Sequence, residues 1–170
     1  VDVPTTKGLV YSKLDEGDII KDIVFMPAEL ELLIFSHNKA LRISGEDAPY
    51  IRRTTKGYCG MRTKYDIGGM ECIPPDATHI VVVTNNMHVN KLQLQTAFVS
   101  TRGKSGTAVI KLGKTDSIAR IVVCKNDSIL SFENTDGATK DIVVSDIPDG
   151  SSISTGVKIL AGKYKDVARI

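Results

Sequence analysis

The chain has 170 residues, of which 42% are hydrophobic and 25% charged, and its formal net charge is +2. This length supports one domain with a sizeable core. No run of about eighteen apolar residues predicts a membrane span, and no charged start followed by an apolar stretch indicates a signal peptide. The three cysteines are widely spaced and form no CxxC pair, which argues against a disulfide framework or a zinc site. We therefore expect free thiols in a reducing, cytoplasmic compartment.

A glycine-containing box recurs along the chain at a nearly constant spacing. Thr5-Thr6-Lys7-Gly8 is repeated letter for letter as Thr54-Thr55-Lys56-Gly57, and weaker copies stand at Lys104-Ser105-Gly106 and Ser154-Thr155-Gly156. The four glycines are separated by 49, 49 and 50 residues. A fixed period near fifty residues is typical of propellers and other repeat arrays. The repeat predicts a single domain over residues 1–170, made of the tail of a partial blade at 1–22 and complete blades at 23–72, 73–120 and 121–170.

Short aliphatic segments between turn residues predict strands. Residues 27–35 are rich in helix formers, but their repeat partner at 80–83 is too short for a helix, so we predict a strand in both places. Asp136-Gly137 predicts a hairpin with a type I′ turn, which needs positive φ at both central positions. The predicted strands, in chain order, are residues 32–35, 80–83, 119–123 and 142–144.

The predicted fold class is all-β, a propeller-like array of four-stranded blades. The period of about fifty residues accommodates about four strands, and no long helix is expected. A single blade cannot bury its inner face, so neighbouring blades must stack.

Positive charge is concentrated in the middle of the chain, where residues 73–120 carry six basic and two acidic groups. This distribution predicts an anionic partner. Phosphate contacts need cations on one side of a surface and glycines that let a backbone approach closely. An ordinary solvated loop is the alternative interpretation of the same residues. The candidate phosphate-binding residues are Arg52, Arg53, Lys56, Gly57, Arg62 and Lys64 in the first unit, and Arg102, Lys104, Lys111 and Lys114 in the second.

The first unit also contains a specific order of motifs. Gly17-Asp18 precedes the first strand. The aliphatic strand with Ser36, a turn and Ala40-Leu41-Arg42-Ile43 come next, and after these Arg53-Thr54-Thr55-Lys56-Gly57 and Gly60. In this order the unit resembles one blade of the C-terminal domain of the bacterial type IIA topoisomerase A subunit, that is, gyrase A or topoisomerase IV A. The gyrase branch usually has the box QRRGGKG. Its glutamine and two glycines have no counterpart here, which favours topoisomerase IV or a divergent relative.

The resemblance implies a β-pinwheel, a disc whose blades exchange a strand with a neighbour. It also implies duplex DNA bound and bent on a basic rim. The protein partners it implies are the B subunit, together with the remainder of the A subunit. Counted from the first complete unit, the third box is residues 151–156. It has no cation, so we expect the DNA to leave the disc at or before that unit.

Catalysis is not expected from this chain. It has no GxSxG motif, no P-loop and no metal-binding cluster, and the resemblance places the nucleophilic tyrosine in another part of the parent protein. We therefore expect an accessory domain without catalytic residues, metal or cofactor. Loops with Arg and Lys mostly contact the DNA backbone, so no sequence-specific reading is expected. A propeller-like protein-interaction module stays open as the alternative, and salt dependence distinguishes the two.

Overall fold

A computed structural model describes residue 10 and residues 12–52 and 54–170 of the chain. These residues form twelve strands and three 3₁₀ turns, with no α-helix among them. The strand bounds are β1 Glu31–Ser36, β2 Lys39–Ser44, β3 Ile67–Ile73, β4 His79–Thr84, β5 His88–Gln93, β6 Val99–Ser100, β7 Thr107–Ala108, β8 Ile118–Cys124, β9 Ile129–Asn134, β10 Thr139–Val143, β11 Val157–Lys158 and β12 Tyr164–Arg169.

Three antiparallel hairpins form the centres of three blades. They are β1–β2 in blade 1, β4–β5 in blade 2 and β9–β10 in blade 3. A third strand, β3, β8 or β12, pairs antiparallel with the first strand of each hairpin. A 3₁₀ turn follows each hairpin, at Gly45–Asp47, Leu94–Thr96 and Val144–Asp146. The same order of elements therefore recurs at the predicted period.

Blades 1 and 2 are each completed by a segment of the next unit. The short strands β6 and β7 pair with β2 of blade 1, and β11 pairs with β5 of blade 2. The three sheets consequently have five, four and three strands, because β10 of blade 3 receives no such segment from the described residues. This exchange of strands between neighbours is the arrangement of a β-pinwheel, and the predicted all-β fold class is confirmed.

The core lies between the blades because β1 and β4 are apolar on both faces and β9 is apolar on the face toward blade 2. Successive side chains of a strand point to opposite faces. Leu33 and Phe35 of β1 therefore pack with Ile80 and Val82 of β4 between blades 1 and 2. The alternate residues of β4 pack with Leu130 and Phe132 of β9 between blades 2 and 3. Leu32, Ile34, Leu41, Ile43 and Met61 form a third cluster on the opposite face of blade 1.

The outer face of blade 3 has a different composition. The strand registers place Ser131 and Glu133 of β9 where blade 2 has Val81 and Val83. Glu133 forms an ion pair with Lys165 of β12 at 2.7 Å. This part of the blade 3 surface is therefore polar, whereas the corresponding positions of blade 2 are apolar.

Two local predictions have different outcomes. The segment at 27–35, which is rich in helix-forming residues, is a strand from Glu31 onward, as predicted. The hairpin at Asp136-Gly137 is present, but its type I′ turn is wrong, since Gly137 (φ 81°) and not Asp136 has positive φ. The cause is Asn134, whose side-chain Oδ1 accepts hydrogen bonds from Asp136 N (3.0 Å) and Ala138 N (2.8 Å). These bonds stabilise a turn that needs just one left-handed residue.

Two glycines with positive φ provide a matched test of the blade packing. Gly137 has φ 81° and open space where a Cβ would lie, whereas a Cβ on Gly156 (φ 76°) would come within 2.5 Å of the Val89 carbonyl oxygen. We expect Gly137→Ala to cost about 1–2 kcal/mol, the strain of a left-handed residue with a side chain. Gly156→Ala should cost clearly more, because the backbone of β5 must also move. Urea unfolding of both variants checks this, and equal midpoints would contradict the close approach.

The cysteines differ in accessibility, which predicts their order of reaction. Cys59 is exposed, Cys72 is half-buried and Cys124 is buried, and all three are free. Burial raises the pKa of the Cys124 thiol to about 11. Since the thiolate is the reactive form, alkylation of the native protein at a pH of about 8 should modify Cys59 first and Cys124 last. Mass measurement over time follows the order, and early modification of Cys124 would show that blade 2 opens readily.

Candidate nucleic-acid interface

The described residues of the first unit's glycine box, 52 and 54–57, lie on an exposed loop. Within this loop the Thr55 hydroxyl donates a hydrogen bond to the Arg52 carbonyl oxygen at 2.8 Å. Gly57 has φ 81°, which lets the chain reverse direction there. Arg52 and Lys56 are exposed on the loop. Arg53, the other predicted arginine, lies outside the described residues.

Backbone hydrogen bonds join each box to the segment that follows the previous box. Arg62 N donates to Lys104 O at 2.9 Å, and Lys111 N donates to Ser154 O at 2.9 Å. Residues 13 and 55 make the corresponding contact one repeat earlier, from Lys13 N to Thr55 O at 3.0 Å. We call this strip, formed by residues 12–13, 54–62, 102–111 and 154, the box edge. It places Arg62 and Lys104, cations of successive units, side by side, although they are 42 residues apart in the chain.

Arg102 and Lys104 of the second box lie directly against the first unit. The Arg102 guanidinium lies 4.8 Å from the centre of the Tyr58 ring. Lys104 forms a parallel bridge with Met61. A cation over an aromatic face is held in place while it stays accessible to an anion. The structure therefore brings the second-unit cations together with Arg62 of the first unit.

A cleft at the turn end of blade 1 collects further basic side chains. Arg62 and Lys64 line it together with Lys39 and Ser105. The Lys64 ammonium is 5.3 Å from the centre of the Tyr65 ring. That ring stacks on His37, with 4.1 Å between centroids and 19° between planes.

Sequence reasoning missed Lys39, His37 and Tyr65 as parts of this cleft. Lys39 and His37 belong to a hairpin turn, and a polar turn by itself indicates a connection between strands and no binding role. The signal that could have found Lys39 is its place at the start of β2, the strand to which the second unit adds β7.

Not every predicted cation is free to meet an anion. Lys56 forms an ion pair with Asp15 at 2.7 Å, and both side chains are more than half exposed. By contrast, Arg52, Arg62, Lys104, Lys111 and Lys114 are exposed and have no ion-pair partner among the described residues. An exposed pair such as Lys56 with Asp15 contributes little to stability, about 0–1 kcal/mol. It does reduce the positive potential at that point of the box edge.

The third unit is less basic along the box edge, as its sequence predicts. Asp149, just before the third box, forms an ion pair with the buried Lys91 of blade 2 at 3.0 Å. Lys163 donates to the Asn86 side chain. Lys165 is paired with Glu133. These contacts hold Lys163 and Lys165 against neighbouring side chains.

Other kinds of site find no support in the described residues. No group of three His, Cys, Asp or Glu side chains among them could hold a metal ion. No helix in that part of the chain is long and apolar enough to cross a membrane.

The chain is similar to DNA topoisomerases in both sequence and structure. It is 25% identical over 159 residues to the gyrase A protein (the A subunit of DNA gyrase) of Mycolicibacterium smegmatis, a match that covers 90% of the chain and 18% of that protein. No family model matches the chain.

Three solved structures share the fold. The C-terminal domain of DNA topoisomerase IV has a TM-score of 0.76 and 24% identity, with 84% of this chain and 47% of that chain covered. The DNA gyrase A C-terminal domain has a TM-score of 0.81 and 17% identity, with 96% of this chain and 58% of that chain covered. The ParC C-terminal domain of E. coli has a TM-score of 0.62 and 15% identity, with 84% of this chain and 63% of that chain covered. The resemblance inferred from the sequence is confirmed, and the chain spans between 47% and 63% of the length of these domains.

Proposed function

We propose that the chain holds duplex DNA on its box edge, as a DNA-binding and DNA-bending accessory domain of a type IIA topoisomerase A subunit. The observation that supports this most is the hydrogen bond from Arg62 N to Lys104 O, with Arg102 against Tyr58. It joins the cations of two units into one strip. Phosphates along a duplex backbone form a similarly continuous row of charge.

The proposed binding is independent of DNA sequence. The cations stand on exposed loops and strand ends, and the described residues include no helix that could enter the major groove. Contacts of this kind hold the phosphate backbone and carry no base information directly. The proposed protein partners, in the cytoplasm, are the B subunit, together with the remainder of the A subunit. The chain is proposed to be non-catalytic, with the chemistry of the parent enzyme outside it.

The salt dependence of DNA binding tests this function. If roughly five phosphates are neutralised, a plot of log K against log salt should have a slope of about −4 to −5. Fluorescence anisotropy with a labelled duplex between low and physiological salt measures the slope, and two duplexes of unrelated sequence should give the same value. A slope near zero would favour the alternative of a protein-interaction module, since apolar contacts release few counterions.

A further inference from the structure

Two interfaces along the box edge are built in the same way. Lys13 N donates to Thr55 O at 3.0 Å, and Arg62 N donates to Lys104 O at 2.9 Å. From the first bond to the second, donor and acceptor are both shifted by 49 residues, the period of the repeat. Residues at the same chain distance from these two bonds therefore occupy equivalent places in the two interfaces.

The first interface brings a carboxylate against a lysine. Asp15 stands two residues after the donor, and Lys56 stands one residue after the acceptor. The Lys56 ammonium lies 2.7 Å from each of the two carboxylate oxygens of Asp15. A turn holds this carboxylate in place, since Asp18 N donates to Asp15 O at 3.1 Å and the Asp18 carboxylate accepts from Asp15 N at 3.1 Å. Side chains at these two places are thus close enough to share one oxyanion group.

The second interface has Lys64 and Ser105 at the two equivalent places. Both line the cleft at the turn end of blade 1, which we call the turn-end cleft. The Lys64 ammonium is held 5.3 Å from the centre of the Tyr65 ring. The Ser105 hydroxyl is exposed and has no hydrogen-bond partner among the described residues. A lysine and a free hydroxyl donor therefore stand where the first interface pairs a lysine with a carboxylate.

Two more cations line the same cleft, Lys39 from the start of β2 and Arg62. Both are exposed, and neither has an ion-pair partner in the described part of the chain. No carboxylate among the described residues lines this cleft with them; Asp66 belongs to the adjoining crevice. Ammonium, guanidinium and hydroxyl donors on one small cleft are the groups that hold phosphate oxygens.

We propose that the turn-end cleft binds one phosphate group of the DNA backbone, with Lys64 and Ser105 as its central contacts. Asp15 shows the equivalent oxyanion in the first interface, where the chain supplies its own carboxylate. The second interface supplies donors alone, so its oxyanion comes from a ligand. This inference rests on the proposed function and adds Lys39 and Ser105 to the residues that contact DNA.

A duplex backbone is favoured over a free phosphate as the source of this group. Arg62 belongs to both the cleft and the box edge, where its backbone N–H is bonded to Lys104. A phosphate in the cleft is therefore a direct continuation of the row of phosphates proposed along the box edge. A free phosphate would gain the contacts of the cleft without those of the neighbouring cations.

Removal of two cleft cations tests the proposal. Lys39→Gln together with Lys64→Gln should flatten the plot of log K against log salt by about one unit, the contribution of one phosphate. Affinity at low salt should fall by about tenfold. Lys140→Gln together with Lys158→Gln is the matched control, because it removes the same net charge from exposed positions of the third unit. The control should retain the slope of the parent chain.

A second variant copies the first interface into the cleft. Lys64→Asp together with Ser105→Lys places a carboxylate opposite a lysine, as in the pair of Asp15 with Lys56. The internal carboxylate should then take the place of the phosphate and flatten the slope by about one unit as well. This variant lowers the net charge by one and the Lys39, Lys64 variant lowers it by two. Losses in proportion to net charge would therefore overturn the proposal.

Titration with inorganic phosphate separates the two sources of the group. At constant ionic strength, phosphate should shift the amide resonances of Lys39, Lys64 and Ser105 with a Kd on the order of millimolar. A duplex should shift the same resonances at much lower concentration. Both responses should disappear in the Lys39, Lys64 variant, whereas equal shifts in that variant would mean that phosphate binds elsewhere and would contradict the proposal.

The outcomes distinguish this inference from the function on which it rests. If the parent chain binds duplex with the expected slope and the Lys39, Lys64 variant keeps that slope, the cleft is not a DNA contact and this inference alone fails. If the parent chain binds no duplex, the proposed function fails. Shifts of the cleft amides by inorganic phosphate in that case would make a free phosphate the ligand and the DNA assignment wrong.

Discussion

Replacing Arg52, Arg62, Arg102 and Lys104 together by alanine is expected to weaken duplex DNA binding by on the order of 10²–10³-fold at low salt. All four cations are exposed, Arg62, Arg102 and Lys104 on the box edge and Arg52 two residues before it in the chain, and none has an ion-pair partner among the described residues. Each phosphate contact contributes roughly 0.9 to the salt slope, so the variant should have a slope flatter by about three to four units. The loss should be the same for duplexes of unrelated sequence, because backbone contacts carry no base information.

The matched control removes the same number of charges from the third unit. Lys140, Lys158, Lys163 and Lys165 are changed to alanine, so that both variants have the same net charge. Two of these lysines already have partners, Asn86 for Lys163 and Glu133 for Lys165. We expect this control to retain most of the affinity and slope. Equal losses in the two variants would show that net charge, and not the box edge, determines binding. Circular dichroism at rising temperature confirms that both variants fold.

The charged residues of the first box should contribute unequally to DNA binding. Lys56 is paired with Asp15 at 2.7 Å, whereas Arg52 has no such partner among the described residues. A triple change of Arg52, Arg53 and Lys56 is therefore expected to flatten the slope by about two to three units, with the smallest share from Lys56.

Phe35→Ala is expected to destabilise the fold by about 3–5 kcal/mol, the range for loss of a fully buried aromatic side chain. The Phe35 ring is buried between blades 1 and 2. It lies against Gly68 and Gly69 of β3, where an added Cβ would come within 2.5 Å and 3.0 Å of ring atoms. Alanine would leave a cavity that the rigid strands cannot close. The thermal midpoint should fall by about 6–20 °C.

Phe98→Ala is the control for this prediction, because the Phe98 side chain is 73% exposed. Changes at exposed positions usually alter stability by less than about 0.5 kcal/mol. Urea unfolding monitored by circular dichroism compares the two variants with the parent chain. If Phe35→Ala unfolds at the same midpoint as Phe98→Ala, the packing of blade 1 against blade 2 is not as described.

Local sequence signals were enough to predict the fold class, the period and the positions of the boxes. Glycines recur every 49 or 50 residues, and aliphatic runs such as residues 80–83 are too short for a helix. The repeat also resolved the ambiguous segment at 27–35, since a strand in one unit requires a strand in the next. The absence of cations from the third box was also evident from the sequence, because it is a matter of composition.

Only the folded structure shows which residues of different units contact each other. The contact of Arg62 with Lys104 joins positions 42 residues apart, and no local pattern encodes a hydrogen bond between two units. The pairing of Lys56 with Asp15 and the turn capped by Asn134 depend on side-chain geometry, which spacing does not specify. Sequence periodicity defines equivalent positions, but strand exchange between blades decides which of them have partners.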